Sequence, residues 1–345
     1  MARRNENGVT IRAVAQRAGV SAMTVSNVLN GAGRASAATV ATVQAAIAEL
    51  GYVPNLAARR LAKSRATTVG LLYSNRRTPF LDAVLVGALR ATNAHGLQLI
   101  LRDGDGVSRD EAERMAQDLV RSGADALLVI PPFAEQLSGS DVLPTLGVPL
   151  AAIATGTAMP DITTVRIDNR AALELIARQV IARGHRRIAY VAGPDHYSVV
   201  AARLDGFRAA LRDAGLAEED DLIVRHGEFD YESGKAAAQA LLSRPDRPTA
   251  IICSSDDLAA GVVAQASHLG LRLPADLTVT GFDDTILASR IWPPLTVVQQ
   301  PVEEMAFRAA QCLIAALGKA EPDVSDEIFD HAIIERESIG PLAPQ

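Results

Sequence analysis

VTIRAVAQRAGVSAMTVSNVLNG, residues 9–31, contains two short helical patterns on either side of a single glycine. Thr10 is placed to cap a helix over 11–18, Gly19 ends it, and Ser21 caps a second helix through 22–29. Val14, Ala18, Val20, Val25, Val28 and Leu29 recur at near-helical spacing, so both helices present apolar faces to one small core. Helices this short are marginal alone. A third, capped by Ser36 and carrying Val40, Val43, Ile47 and Leu50 before Gly51, supplies the missing surface. Three short helices bury together what two cannot.

In a helix-turn-helix of this kind the second helix enters the DNA major groove N-terminus first, which turns Ala22, Met23, Ser26 and Asn27 toward base edges. Charge supports this reading over that of a generic helical bundle. Residues 1–68 carry nine Lys or Arg against two acids, a balance of +7, and the rest of the chain carries −13. The whole-chain charge of −6 hides a basic front on an acidic body, the asymmetry expected where one end grips a polyanion.

Beyond about residue 66 the pattern changes to short apolar strands alternating with Ala-rich amphipathic helices. Strands are expected at 69–73, 97–101, 126–130 and 150–153, with helices at 80–95 and 108–122. The rhythm then repeats, with helices at 171–183, 200–214, 231–242 and 258–269 and strands at 188–192, 222–224, 250–253 and 277–281. A last helix is expected at 305–317, and a disordered tail after about Gly340. Alternating β and α units imply two doubly wound parallel sheets, with a ligand cleft at the carboxyl ends of their strands. At 345 residues and 48% hydrophobic content the chain is ample for such a core.

These motifs together resemble the LacI/GalR family of bacterial transcription regulators. The likeness rests on TIRAVAQRAGVSAMTVSNVLNG and LGYVPNLAARRLA, then GHRRIAYVAGP, ARLDGFRAAL, FDYESG, SSDDLAAG and VTGFDDT…PPLTVVQQP, all in the family's order. The fold class implied is an N-terminal all-α helix-turn-helix domain plus an α/β, two-lobed, periplasmic-binding-protein-like domain. The expected divisions are 1–54 for DNA binding, 55–66 for a hinge, and 67–345 for effector binding and dimerisation. The resemblance assigns DNA contact to Thr10, Ser21, Ala22, Met23, Thr24, Ser26, Asn27 and Asn30, and in the hinge region to Tyr52, Asn55, Ala58, Arg59, Leu61 and Ala62. The family often has Arg at the position of Asn27 and polar residues at Ala22 and Met23. Arginine favours guanine and asparagine adenine, so a different half-site base is expected.

The stretch after Pro54 has Asn55 as a possible cap and Arg59, Arg60 and Lys63 around Leu56 and Leu61. So short a helix is mostly unfolded in water, and a plain flexible linker is the alternative. The resemblance implies that it folds on DNA and wedges Leu61 into the minor groove, unstacking base steps. Such a hinge reads few base pairs, so a homodimer on a pseudo-palindromic operator is the expected unit. No heptad repeat suggests a tetramer.

For a small-molecule effector the resemblance points to Phe80, Asp168, Arg203, Phe229, Ser255, Asp256 and Asp283. Phe80, Phe229 and Arg203 also have ordinary structural readings, and Asp168 is placed to cap a helix as well. A guanidinium that donates several bonds and a carboxylate that accepts a pair suit a sugar or nucleoside-like ligand. Many relatives have Asp-Arg after the fourth strand where this chain has Ala154 and Thr155, which argues against a copy of a known effector site.

Enzyme readings find little support. Asp256-Asp257 and Asp283-Asp284 are adjacent pairs whose side chains diverge, DGDG at 103–106 lacks the glutamate of a calcium loop, and the histidines have no metal-ligand spacing. The alternative kept is a sugar-binding module or hydrolase with an N-terminal dimerisation bundle. No cofactor and no metal are expected. Two separated cysteines in apolar runs, no signal-like start and no run of some 18 apolar residues point to a cytoplasmic protein without a membrane partner.

Overall fold

The computed structural model describes residues 11–30, 36–50, 67–74, 78–104, 108–225, 227–319 and 323–342. The chain divides into two compact units, Met1–Ala66 and Thr67–Gln345. In the first, α1 (Ile11–Ala18), α2 (Ala22–Asn30) and α3 (Ala37–Leu50) close around Val14, Ala15, Val25, Val43 and Ala46. Ser21 Oγ accepts the Thr24 amide at 3.1 Å and Ser36 Oγ that of Thr39 at 3.2 Å, so of the three expected caps the two among the described residues are made. An exposed Arg17–Glu49 pair at 2.6 Å joins α1 to α3.

The second unit holds two lobes. Its elements run β1 (Thr68–Ser74), α4 (Pro79–Ala94), β2 (Gln98–Gly104), α5 (Arg109–Arg121), β3 (Ala126–Val129), α6 (Phe133–Leu137), β4 (Leu150–Ile153) and β5 (Thr163–Ile167). They continue with α7 (Asn169–Ala182), β6 (Ile188–Val191), α8 (Ser198–Asp213), β7 (Ile223–Val224), α9 (Tyr231–Leu242), β8 (Ala250–Cys253) and α10 (Asp256–His268). The series ends with β9 (Thr278–Asp283), α11 (Ile286–Arg290), β10 (Thr296–Gln299), α12 (Val302–Ala316), β11 (Asp326–Phe329) and β12 (Ala332–Ile334).

One sheet has the order β11-β5-β4-β3-β1-β2, all parallel, and the other β12-β10-β9-β8-β6-β7, parallel except for β12. Central strands such as Ala126–Val129 and Ala250–Cys253 are buried along their length, which is why they read as unbroken apolar runs. The lobes are not contiguous in sequence. After β5 the chain passes to the second lobe, returns after β10 so that α12 packs on α4, β3, β4 and β5, and crosses again between β11 and β12.

The C-terminal segment is held by the second lobe as far as it is described. Ser338 donates to Val279 O, Gly340 N donates to Thr278 Oγ1 at 3.1 Å, and Leu342 N donates to Arg183 O at 3.0 Å. His185, almost wholly buried, bonds Gly340 O through Nε2 and Thr249 through Nδ1. Those partners pin the chain up to Gly340, and the Leu342 bond carries the order two residues into the tail expected to be disordered; residues 343–345 lie outside the described residues.

Candidate functional site

In each sheet the chain leaves the first strand in opposite directions, between β1 and β3 in one and between β6 and β8 in the other. Connections diverge at such a point and leave a crevice at the carboxyl ends of the strands. A cavity of about 100 Å³, partly open to solvent, lies there. The first lobe contributes Ser74, Thr78, Phe80, Leu81, Ile130, Pro131 and Ala154, and the second Tyr197, Val199, Arg203, Phe229, Ser254, Ser255, Asp257, Asp283 and Gln300. The mixture of apolar wall with a few polar groups matches small-molecule sites.

Local structure seats these side chains. Thr78 caps α4, with Pro79 in its first turn, and so presents Phe80 and Leu81 at the mouth of the first lobe. Ser255 caps α10 by accepting the Leu258 amide at 3.2 Å. Phe229 meets Tyr197 edge-on at 5.1 Å between ring centroids. It lies so close to Gly193, at φ +88, that a Cβ there would stand 2.6 Å from its ring. Only glycine allows that seat.

Arg203 is the buried cation of the cleft, 4% exposed. Its Nε donates to Asn169 Oδ1 at 2.9 Å, Nη1 donates to Ser254 O at 2.5 Å, and its guanidinium lies 3.6 Å from the Phe282 ring centroid. Carboxylates surround it. Burial drives the Asp283 carboxyl up to about 7 despite the opposing pull of Arg203 and a hydrogen bond from Gln300. Burial, with help from Asp230, raises Asp257 to about 6. Asp256 is also raised, well above the usual carboxylate range, by burial and then by Asp283, although Thr285 donates to its Oδ2 through both N (2.7 Å) and Oγ1 (2.9 Å). Asp283, on the cleft lining, also sits at φ +109, an uncommon conformation for a non-glycine residue.

Among the sequence-derived effector residues, the structure brings Phe80, Arg203, Phe229, Ser255 and Asp283 together on the lining. Asp256 lies behind it, fully buried, and Asp257 faces the cleft instead, because the first turn of α10 sends the two carboxylates in different directions. Asp168 is exposed and caps α7, accepting the Ala171 amide at 3.0 Å. The next residue, Asn169, reaches Arg203. Sequence reasoning also missed Ser74, Thr78, Tyr197, Ser254 and Gln300, whose positions follow from strand order.

In the first unit Met23, 71% exposed, leads the outer face of α2, while Ala22 packs against the small core instead of facing outward. Thr24 shares a 2.9 Å hydroxyl contact with Ser21. Thr10, Tyr52, Asn55, Ala58, Arg59, Leu61 and Ala62 lie outside the described residues, as do the side chains of Ser26, Asn27 and Asn30. No helix among the described residues is long and apolar enough to cross a membrane.

Comparison with known proteins agrees with this architecture. Residues 10–55 match the family model described as bacterial regulatory proteins, lacI family, and residues 177–339 match a periplasmic binding protein-like domain. The chain is 36% identical over 342 residues to the HTH-type transcriptional regulator CelR of Thermobifida fusca, covering 95% of this chain and 98% of that protein. It is 33% identical to the HTH-type transcriptional repressor PurR of Proteus mirabilis, covering 96% of each. Among solved structures, a CelR–cellobiose complex matches with a TM-score of 0.70 at 32% identity, over 95% of this chain and 99% of that one. A lac repressor dimer bound to operator and the anti-inducer ONPF matches with a TM-score of 0.77 at 25% identity, over 98% and 100%. These relatives are regulators, and the chain belongs to the LacI family of bacterial transcription regulators.

Proposed function

We propose that this regulator represses transcription by binding a pseudo-palindromic operator as a homodimer, and that a sugar or nucleoside-like metabolite held between its lobes changes that affinity. The division of labour is DNA reading by residues 1–54, a hinge over 55–66, and effector binding and dimerisation by 67–345. Operator contacts fall to Thr10 and Ser21, to Met23, Thr24, Ser26, Asn27 and Asn30 on α2, and to Tyr52, Asn55, Ala58, Arg59, Leu61 and Ala62 in and before the hinge. The setting is cytoplasmic.

The observation that carries this reading is the cleft itself. Phe80 from one lobe shares a cavity with Phe229, Arg203, Asp257 and Asp283 from the other. A ligand gripped by both lobes binds one lobe arrangement better than another, and that differential affinity is what shifts a two-state equilibrium. The solved relatives add support: one is a complex with cellobiose and another is bound to operator DNA.

The test is selection of duplexes from a random pool by the full-length protein, with and without a panel of sugars and nucleosides. A symmetric enriched sequence whose recovery changes with one compound is the expected result. No enrichment over random competitor under any condition would refute the reading.

A further inference from the structure

Away from the lining, α8 of the second lobe abuts the first. The N-cap position of α8 is a tyrosine, not one of the short polar residues that cap their own helix. The acceptor comes instead from Glu135 on α6 of the other lobe, whose Oε1 takes the Ser198 amide at 3.1 Å and the Ser198 hydroxyl at 2.6 Å. Ser198 Oγ in turn accepts the Gly156 amide, again from the first lobe, at 2.7 Å. Gly156 lies so close that a Cβ would stand 2.2 Å from Ser198 O. A carboxylate at a helix N-terminus is favoured by the helix dipole, and the Glu135 bond is charge-assisted. Glu135 Oε2 is buried without a hydrogen-bond partner, a group that water would satisfy if the lobes parted.

The same strip leads back to the cleft. Thr155, next to Gly156, gives its carbonyl to Asn169 Nδ2 at 3.2 Å, and Asn169 Oδ1 holds Arg203 Nε. A continuous set of hydrogen bonds therefore joins Arg203 to Asn169, Thr155–Gly156, Ser198 and Glu135.

We infer that Glu135 is an interlobe latch: by capping α8 across the lobe boundary it holds the cleft in the arrangement described, and a ligand that moves Arg203 acts on that latch through Asn169 and the 155–156 strip. The regulatory half of this inference rests on the cleft being the effector site. The latch itself does not.

The test is amide hydrogen exchange on the full-length protein without ligand, read at Gly156, at Ser198 and, as a control, in the core strand β8. Glu135→Ala is expected to speed exchange at Gly156 about tenfold, although Glu135 makes no bond to Gly156, while β8 is unchanged. Glu135→Gln, which keeps an acceptor oxygen, restores most of the protection. Gly156→Ala, which wedges the boundary without removing a polar group, speeds exchange at Ser198 by a similar factor. Unchanged exchange at Gly156 in Glu135→Ala would overturn the latch, as would equal acceleration in β8, which marks general loosening. The link to the cleft is read by Asn169→Ala, which should speed exchange at Gly156 and leave β8 alone; no change there removes the link. Failure of every sugar and nucleoside to bind would count against the effector reading and leave the latch result standing.

Discussion

Replacing Asp283 by asparagine should stabilise the protein above neutral pH while removing ligand binding. The carboxyl is lifted from 3.8 to about 7, chiefly because burial disfavours its charged form. Between those two values the folded protein holds a proton that the unfolded chain has released, so stability falls as pH rises through the window and stays low above it. Each unit corresponds to about 1.4 kcal/mol, so the full shift bounds the penalty of the ionised form at roughly 4 kcal/mol. Asparagine resembles the protonated acid, tolerates positive φ and still accepts from Gln300. Its amide protons need new acceptors, a loss of about 1–2 kcal/mol. The expected net gain at pH 8 is therefore about 2 kcal/mol, shrinking toward zero or reversing near pH 5. Urea unfolding of wild type and variant at several pH values measures this directly. Parallel stability curves from pH 5 to 8 would refute the account of Asp283 as a strained, functional carboxylate. Gain without loss of ligand binding would refute its role in the cleft.

Other substitutions probe separate parts of the argument. Arg203→Lys keeps the charge but cannot hold both Asn169 and Ser254 while lying on Phe282; effector affinity should fall at least tenfold, by titration calorimetry, with ligand-free operator binding kept. Gly261→Ala would place a Cβ 2.1 Å from Tyr231 O where α9 and α10 touch, and should lower unfolding free energy by about 1–3 kcal/mol in denaturant titration. Leu61→Ala should weaken binding to the selected operator while leaving random-duplex affinity nearly unchanged; equal losses on both would remove the wedge. Asn27→Ala should relax preference at one half-site position, by about 1–3 kcal/mol in competition binding, and operators altered at that position should then bind as well as the parent.

Much of the fold was legible because its signals are local. Ser21, Ser36, Ser108 and Asp168 start helices because a short polar side chain satisfies amides three residues on, and that geometry needs no tertiary partner. Central parallel strands are covered on both faces, so they appear as apolar runs. Strand β11, DEIF, alternates between exposed and half-buried residues at a sheet edge and gives no such run, and β5, β10 and β12 were likewise passed over. The helix expected at 305–317 is present as Val302–Ala316, but nothing in its periodicity says that it returns to the first lobe.

The sequence by itself determined the helix-turn-helix start and the alternation that makes two doubly wound sheets, since both are encoded in residue types at short spacing, while Arg203, Phe229 and Asp283 were candidates through the family resemblance of the motifs around them. Only the tertiary structure decided that Asp257 and not Asp256 faces the cleft, that Asn169 and not Asp168 reaches Arg203, and that Glu135 caps a helix of the opposite lobe. Those outcomes depend on the phase of one helix against a strand from elsewhere in the chain, and on three crossings between lobes. Contacts across 34 residues, as between Asn169 and Arg203, or 63, as between Glu135 and Ser198, are set by packing and leave no periodic trace in the sequence.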